Sequence, residues 1–225
     1  MNQVFFLHIP KTGGGTLERA IRFRFGQVSE RHSWTQNPGL PDIDFSPFDF
    51  ISGHYPYTFA ERLNNPVILT MFRDPVARVL SHWAYVHEFG YHHDPVYTKW
   101  AREAILEEWL SSPYSEHAAS NLMTRFLCNR KDDDLDLAME NLESVDWIGF
   151  LDDPNGLQET SDQFLEYVDK DKVAVVGRYN ATNHPVHLSL LASQTLWLIQ
   201  EMNHKDIILY NRAREIMVER KAEFA

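Results

Sequence analysis

A lysine, two threonines and three consecutive glycines stand together near the start of the chain. They are Lys11, Thr12, Gly13, Gly14, Gly15 and Thr16. Glycine lets a backbone approach an oxyanion with no Cβ in the way, and the N–H groups of a helix's first turn point at such an anion. The lysine ammonium adds a full positive charge. These residue types in this order predict a binding site for a phosphate or a similar oxyanion.

The residues on either side of this loop predict the elements that hold it. The apolar run 4–9 has the length of a strand and ends at Pro10. After the glycines, Leu17, Ala20 and Ile21 recur at helical spacing. A Walker A loop places its lysine after the glycines, whereas Lys11 precedes them, so the pattern indicates a phosphate loop of a different type. An ordinary glycine-rich turn between a strand and a helix is the alternative.

A second group of candidate anion ligands follows the apolar run 66–72, which is typical of a buried parallel strand. Arg73 comes directly after this run, and its planar guanidinium suits a phosphate. Asp74 and Pro75 are good residues for the N-cap and first position of a helix. In that helix Arg78 and Ser81 are three residues apart and share a face that is distinct from the helix's apolar stripe. The alternative is an ordinary helix start with a surface Arg–Asp pair.

His54 is the candidate general base. It follows the short apolar run 48–52, which predicts another strand. An imidazole accepts a proton near neutral pH and is the side chain most often used for this purpose. The alternative is a structural histidine that bonds a backbone carbonyl. Glu61 is then the next candidate base.

These segments resemble the sulfotransferases that use 3′-phosphoadenylyl sulfate (PAPS). The similarity is to the carbohydrate branch, which includes the heparan sulfate and uronyl 2-O-sulfotransferases. Residues 8–16 resemble that family's 5′-phosphosulfate loop, and residues 72–83 resemble its 3′-phosphate motif. Weaker similarity continues through residues 121–127, 148–151 and 177–185, the last being a loop that covers the nucleotide in relatives.

The resemblance implies transfer of a sulfuryl group from PAPS to a hydroxyl of a carbohydrate or small-molecule acceptor. The bisphosphate PAP (3′-phosphoadenosine 5′-phosphate) is the product, and no metal is required. Lys11 and His54 are the implied catalytic residues. The implied nucleotide-binding residues are Pro10, Lys11, Thr12, Gly13, Gly14, Gly15, Thr16, Leu17, Arg73, Arg78 and Ser81.

Strand-like and helix-like patterns alternate along the chain, which predicts an α/β fold with a parallel sheet. We expect about five strands flanked by helices, and the resemblance implies a fold like that of P-loop kinases. The predicted strands are 4–9, 48–52, 66–72, 147–151 and 172–176, and loops are expected at 27–47 and 177–185. Residues 1–225 are expected to form one domain. Ligands of such sheets bind at the carboxyl ends of the strands, where all three candidate segments fall.

Composition excludes several classes of protein. The formal net charge of −11 argues against nucleic acid as a partner. The mean hydropathy is −0.39, and no run reaches the ~20 apolar residues of a membrane helix. The single cysteine, Cys128, permits no disulfide within the chain and fits a reducing compartment. We expect a cytoplasmic protein, or one of the Golgi lumen if a membrane anchor precedes this sequence. The oligomeric state stays open.

Two other functions remain possible at this stage. A nucleotide kinase or another NTP-using enzyme would need a Walker-type lysine after the glycines and an acidic ligand for Mg²⁺. A non-catalytic protein could retain the nucleotide pocket alone. A histidine-based metal site is not favoured, because His82 and His87 are five residues apart and do not share a helix face as i, i+4 pairs do.

Overall fold

The computed structural model shows an α/β fold built on a parallel sheet with helices on both faces. It describes residues 3–28, 32–33, 43–90, 94–171, 176–177 and 188–223. The strands are β1 (Val4–Leu7), β2 (His32–Ser33), β3 (Phe50–His54), β4 (Val67–Phe72) and β5 (Trp147–Phe150). Their spatial order is β2-β3-β1-β4-β5, with all neighbours parallel.

Helices occupy most of the chain between and after these strands. They are α1 (Gly14–Ile21), α2 (Pro75–Phe89), α3 (Pro95–Glu103), α4 (Leu106–Leu110), α5 (Pro113–Ala119), α6 (Leu122–Leu127), α7 (Leu135–Glu143), α8 (Gly156–Tyr167), α9 (Ser193–Met202) and α10 (His204–Glu223). Short 3-10 helices span Arg22–Arg24, Tyr57–Arg62 and Leu188–Leu190. None of the helices in the described ranges is both long and apolar enough to cross a membrane.

The sheet lies between two apolar layers because successive strand residues point to opposite faces. Phe5 and Leu7 of β1 pack with the buried faces of α6, α7 and α10. Val4 and Phe6 pack on the other face with α1 and α8. A third apolar cluster joins α2 to α3, α4, α5 and α9. Both faces of the central strands are therefore buried, as their continuous apolar sequences predict.

The register of the sheet brings the ends of three central strands into line. Leu7, the last residue of β1, is paired with Gly53 on one side and Thr70 on the other. Parallel pairing means that the segments leaving β1, β3 and β4 emerge at one edge, hereafter the carboxyl edge. The glycine loop, His54 and Arg73 lie on those segments.

The predicted α/β fold with a parallel sheet is confirmed. Four of the predicted strands correspond to β1, β3, β4 and β5. Of the fifth, predicted at 172–176, residues 172–175 lie outside the described residues. The predicted loop 27–47 contains the two-residue strand β2, which pairs with the end of β3. The likeness to P-loop kinases stays a prediction.

Candidate functional site

The glycine loop turns sharply between β1 and α1. Lys11 and Gly13 have φ angles of 70° and 87°, in the left-handed region. Gly13 is the N-cap of α1, and a residue with a Cβ would be strained there. The hydroxyl of Thr12, which is fully buried, donates to the carbonyl of Ile9 at 2.8 Å and closes the turn from inside. The loop is thus closed by a hydrogen bond between its own residues, and the first N–H groups of α1 lie at its end.

Gly14 is required for a different reason, because the side chains of His8 and Phe6 lie where its Cβ would be. A Cβ built on Gly14 would stand 2.2 Å from Cδ2 of His8 and 2.9 Å from Cζ of Phe6. The His8 ring is buried, stacks on Phe6 with centroids 5.3 Å apart, and places Nδ1 4.0 Å from a carboxylate oxygen of Glu18. The start of α1 therefore packs directly on a residue from the end of β1.

The Lys11 ammonium lies on an aromatic ring. Its Nζ is 4.0 Å from the ring centroid of Tyr85, a residue of α2. Burial, together with the neighbouring positive charge of Arg73, lowers the pKa of Lys11 from 10.5 to about 8. Lys11 is therefore mostly charged at pH 7 but close to the point where it loses its proton.

Arg73 connects the two predicted phosphate motifs. It follows β4, and its Nη1 donates to the backbone carbonyl of Lys11 at 3.2 Å. Its Nε is 3.9 Å from a carboxylate oxygen of Asp152, which follows β5 at the same edge. Burial lowers the pKa of Arg73, and the charges of Asp152 and Asp74 oppose that shift. Asp74 caps α2 by accepting the Ala77 N–H at 2.8 Å, as the sequence predicts.

His54 ends β3 beside the glycine loop. Its Nδ1 is 2.9 Å from the backbone carbonyl of His8, and the two imidazole rings are 4.6 Å apart. A carbonyl can only accept, so in the neutral ring Nδ1 carries the proton and Nε2 is the basic nitrogen. Arg130 donates to the His54 carbonyl at 2.9 Å, and Phe126 meets the ring edge-on. This carbonyl bond fits a structural histidine and equally orients a base.

Arg78 lies inside the protein, which differs from its predicted position on a helix face apart from the apolar stripe. It has no exposed surface. Its guanidinium donates to the carbonyls of Ala118 and Ala119 and to the side chain of Asn203. Arg78 thus has no solvent-exposed surface in this structure and joins α2 to α5 and to Asn203 at the end of α9. Its contact with a nucleotide stays a prediction.

The other predicted residues occupy several environments. Ser81 is partly buried on α2, one turn before Tyr85. Leu17 is fully buried in the core beneath α1, and its N–H bonds the carbonyl of Gly13. Pro10 and Gly15 are partly exposed, whereas Thr16 is buried. Glu61 is exposed on the 3-10 helix after β3. In the predicted loop 177–185, residues 178–185 lie outside the described residues.

Three residues near this edge were given no individual role by the sequence. They are Tyr85, Asp152 and His8, the last included only within the segment 8–16 that resembles a phosphosulfate loop. Asp152 could have been found, because it follows a predicted strand whose carboxyl end lies at the same edge. Tyr85 could not, because a tyrosine one turn beyond Ser81 has no chemical signature of its own. The His8 ring matters only because Gly14 packs on it, which is a tertiary contact.

The site therefore combines two cations, a glycine turn with helix N–H groups, and an oriented imidazole at one sheet edge. Such a set can bind an anion with more than one charged group and can accept a proton beside it. No protein-family model matches this chain, and no curated protein does either.

Proposed function

We propose that this chain is a PAPS-dependent sulfotransferase that modifies an acceptor hydroxyl, with a carbohydrate as the favoured acceptor. The observation that carries the proposal is the bond from the Arg73 guanidinium to the Lys11 carbonyl. It joins the loop that resembles a 5′-phosphosulfate site to the segment that resembles a 3′-phosphate site. Two phosphate-binding segments at one edge fit a nucleotide with phosphates at both the 3′ and 5′ positions.

The donor would bind with its two anionic ends on different elements. The 5′-phosphosulfate would lie on the glycine turn, where Lys11 and the N–H groups of α1 supply positive charge. The 3′-phosphate would lie near Arg73 and Ser81. A fold like that of P-loop kinases is part of this proposal, as are nucleotide contacts of Thr16 and Leu17.

The chemical step uses His54 and Lys11. Nε2 of His54 takes the proton of the acceptor hydroxyl as the oxygen attacks sulfur in line with the leaving group. The new O–S bond forms while the bond from sulfur to the bridging oxygen breaks, and that oxygen stays on the phosphate of PAP. Negative charge grows on it, and the Lys11 ammonium stabilises this charge.

Replacement of His54 tests the catalytic part of the proposal. We expect His54→Ala to lower the rate of transfer from ³⁵S-labelled PAPS to a panel of carbohydrates by about 10²–10⁴-fold, the usual contribution of a positioned base. Affinity for PAP should change little, because the imidazole faces the acceptor. The matched control is His87→Ala, since His87 also bonds a backbone carbonyl through Nδ1 but lies exposed on α2.

The pH profile separates His54 from other bases. The wild-type kcat/KM should rise with pH as the catalytic base loses its proton, and His54→Ala should lose this limb. If His54→Ala keeps this limb and most of the wild-type rate, another residue is the base, and Glu61 is the next candidate.

Turnover of Mg²⁺-ATP without any use of PAPS would favour the kinase alternative. PAP binding with no transfer to any acceptor would favour a non-catalytic binder.

A further inference from the structure

Tyr85 forms a cation–π contact with the candidate catalytic lysine. The Lys11 ammonium lies over the face of its ring, 4.0 Å from the centroid. Within the described ranges, no carboxylate forms an ion pair with this ammonium. Tyr85 lies on α2 one turn beyond Ser81, so it belongs to the helix that follows Arg73. The contact thus bridges the glycine loop and α2.

This contact stabilises the charged form of Lys11, whose surroundings otherwise disfavour a charge. It is largely removed from water, and the Arg73 guanidinium is close enough to repel it. The negative face of an aromatic ring attracts an ammonium, and more strongly where water is excluded. The ring therefore supplies the compensation that an anionic ligand would supply in the occupied site.

We propose that Tyr85 is a positioning residue that keeps the Lys11 ammonium charged and oriented over its ring before an anion binds. An incoming anion then meets a lysine that is already oriented and already protonated. The lysine needs to move only from the ring face toward the bound oxygens. The inference rests on the proposed function only for the identity of that anion.

A purely structural role for Tyr85 is the competing explanation. The ring also packs against Phe89 on the same helix, with centroids 5.2 Å apart. Loss of that packing would change stability and leave the protonation of Lys11 as it was. The pKa of Lys11 therefore distinguishes the two roles.

The experiment compares Tyr85→Leu with Tyr85→Phe. Phenylalanine keeps the ring face and leucine removes it. The pKa of Lys11 is read from the pH dependence of its ¹³Cε resonance, which Lys11→Arg assigns. We expect Tyr85→Leu to lower this pKa by about half a unit to one unit, and Tyr85→Phe to leave it unchanged. An unchanged pKa in Tyr85→Leu, or an equal shift in both variants, would overturn the inference.

Circular dichroism and thermal unfolding check that each variant is folded. If Tyr85→Leu does not fold, Tyr85→Met provides the same loss of the ring with a more flexible side chain. The pair Tyr85→Met and Tyr85→Phe is then judged by the same criterion.

A binding measurement with PAP extends the test to the site itself. Relative to wild type, Tyr85→Leu should bind PAP about threefold more weakly at pH 8, where less of its Lys11 is protonated, and almost equally at pH 6.5. Equal affinities at both pH values would contradict the inference even if the pKa had moved. If the wild-type protein does not bind PAP, the proposed function fails, while the pKa of Lys11 still decides the role of Tyr85.

Discussion

Arg73 and Arg78 lie on one short segment, yet they occupy opposite environments. The Arg73 side chain is 24% exposed at the carboxyl edge and sits beside another cation, Lys11. Arg78 is 0% exposed and donates to carbonyls at the end of α5. Two arginines of the same motif therefore differ in whether any surface is left for a ligand. The elements packed around each residue decide this difference, because α5 and the end of α9 cover Arg78 whereas Arg73 lies where β4 ends.

The electrostatics of the two regions differ in the same way. Near Arg78, the carboxylate of Asp206 is also fully buried and accepts the N–H groups of Met123 and Thr124 at the start of α6. Its negative charge partly compensates the burial of Arg78, and its own pKa is raised by burial. At the edge, Lys11 and Arg73 repel each other. In the buried region a carboxylate lies near the arginine, whereas at the edge Arg73 feels both the repulsion of the Lys11 ammonium and the attraction of Asp152 and Asp74.

The largest expected effect is a loss of stability when the buried arginine, Arg78, is replaced. Arg78→Met should reduce the free energy of unfolding by about 3–5 kcal/mol, because it leaves Asp206 without its neighbouring cation and two carbonyls without donors. Urea unfolding followed by circular dichroism measures this change. At a temperature where the variant is folded, its affinity for PAP should stay within about threefold of wild type. A stable variant that no longer binds PAP would instead make Arg78 a nucleotide ligand.

The opposite pattern is expected for Arg73. Arg73→Met should weaken PAP binding by about 30-fold or more, since loss of one partner from a hydrogen-bonded charge pair costs about 2–5 kcal/mol. Its free energy of unfolding should change by less than about 1 kcal/mol, because the pair with Asp152 is partly exposed. Calorimetric titration gives the affinity. Arg102→Met is the matched control, since Arg102 is exposed on α3 and donates to a backbone carbonyl. If this control loses as much affinity, the assignment of Arg73 is wrong.

A change of pH is expected to have a smaller effect on PAP affinity than the replacement of Arg73. The Lys11 pKa of about 8 means that the ammonium loses its proton as the pH rises through that value. PAP should bind the protonated form, so its affinity should fall about tenfold between pH 7 and pH 9. The phosphates of PAP are already ionised there and cannot cause a loss of affinity. Lys11→Gln should bind more weakly at pH 7 and lose this dependence. If the affinity of Lys11→Gln for PAP still fell with pH, another group would be responsible for the pH dependence.

The fold was accessible from the sequence because its signals are local. The apolar runs of β1, β4 and β5 are bounded by loop residues, and the Asp74-Pro75 start of α2 is confirmed by the cap that Asp74 makes. Arrangement at the carboxyl edge follows from parallel pairing, so Lys11 and Arg73 could be placed together in advance.

The side-chain environments were not accessible, because they depend on contacts between distant segments. The buried position of Arg78 results from α5 packing on α2, and helical spacing alone assigns it to a face that it does not occupy. The bond from His54 to the carbonyl of His8 and the ring of Tyr85 under Lys11 also come from residues far apart in sequence. Spacing predicts which residues share an element, but not what that element packs against.

We propose that the edge formed by Lys11 and Arg73 recognises a nucleotide with a phosphate on both its 3′ and 5′ positions. Calorimetric titration of the wild-type chain with PAP and with AMP tests this most directly, since the two ligands differ only in the 3′-phosphate. We expect PAP to bind about 30-fold more tightly or better, which corresponds to about 2 kcal/mol from charge-assisted hydrogen bonds to that phosphate. Equal affinities for PAP and AMP would contradict the claim.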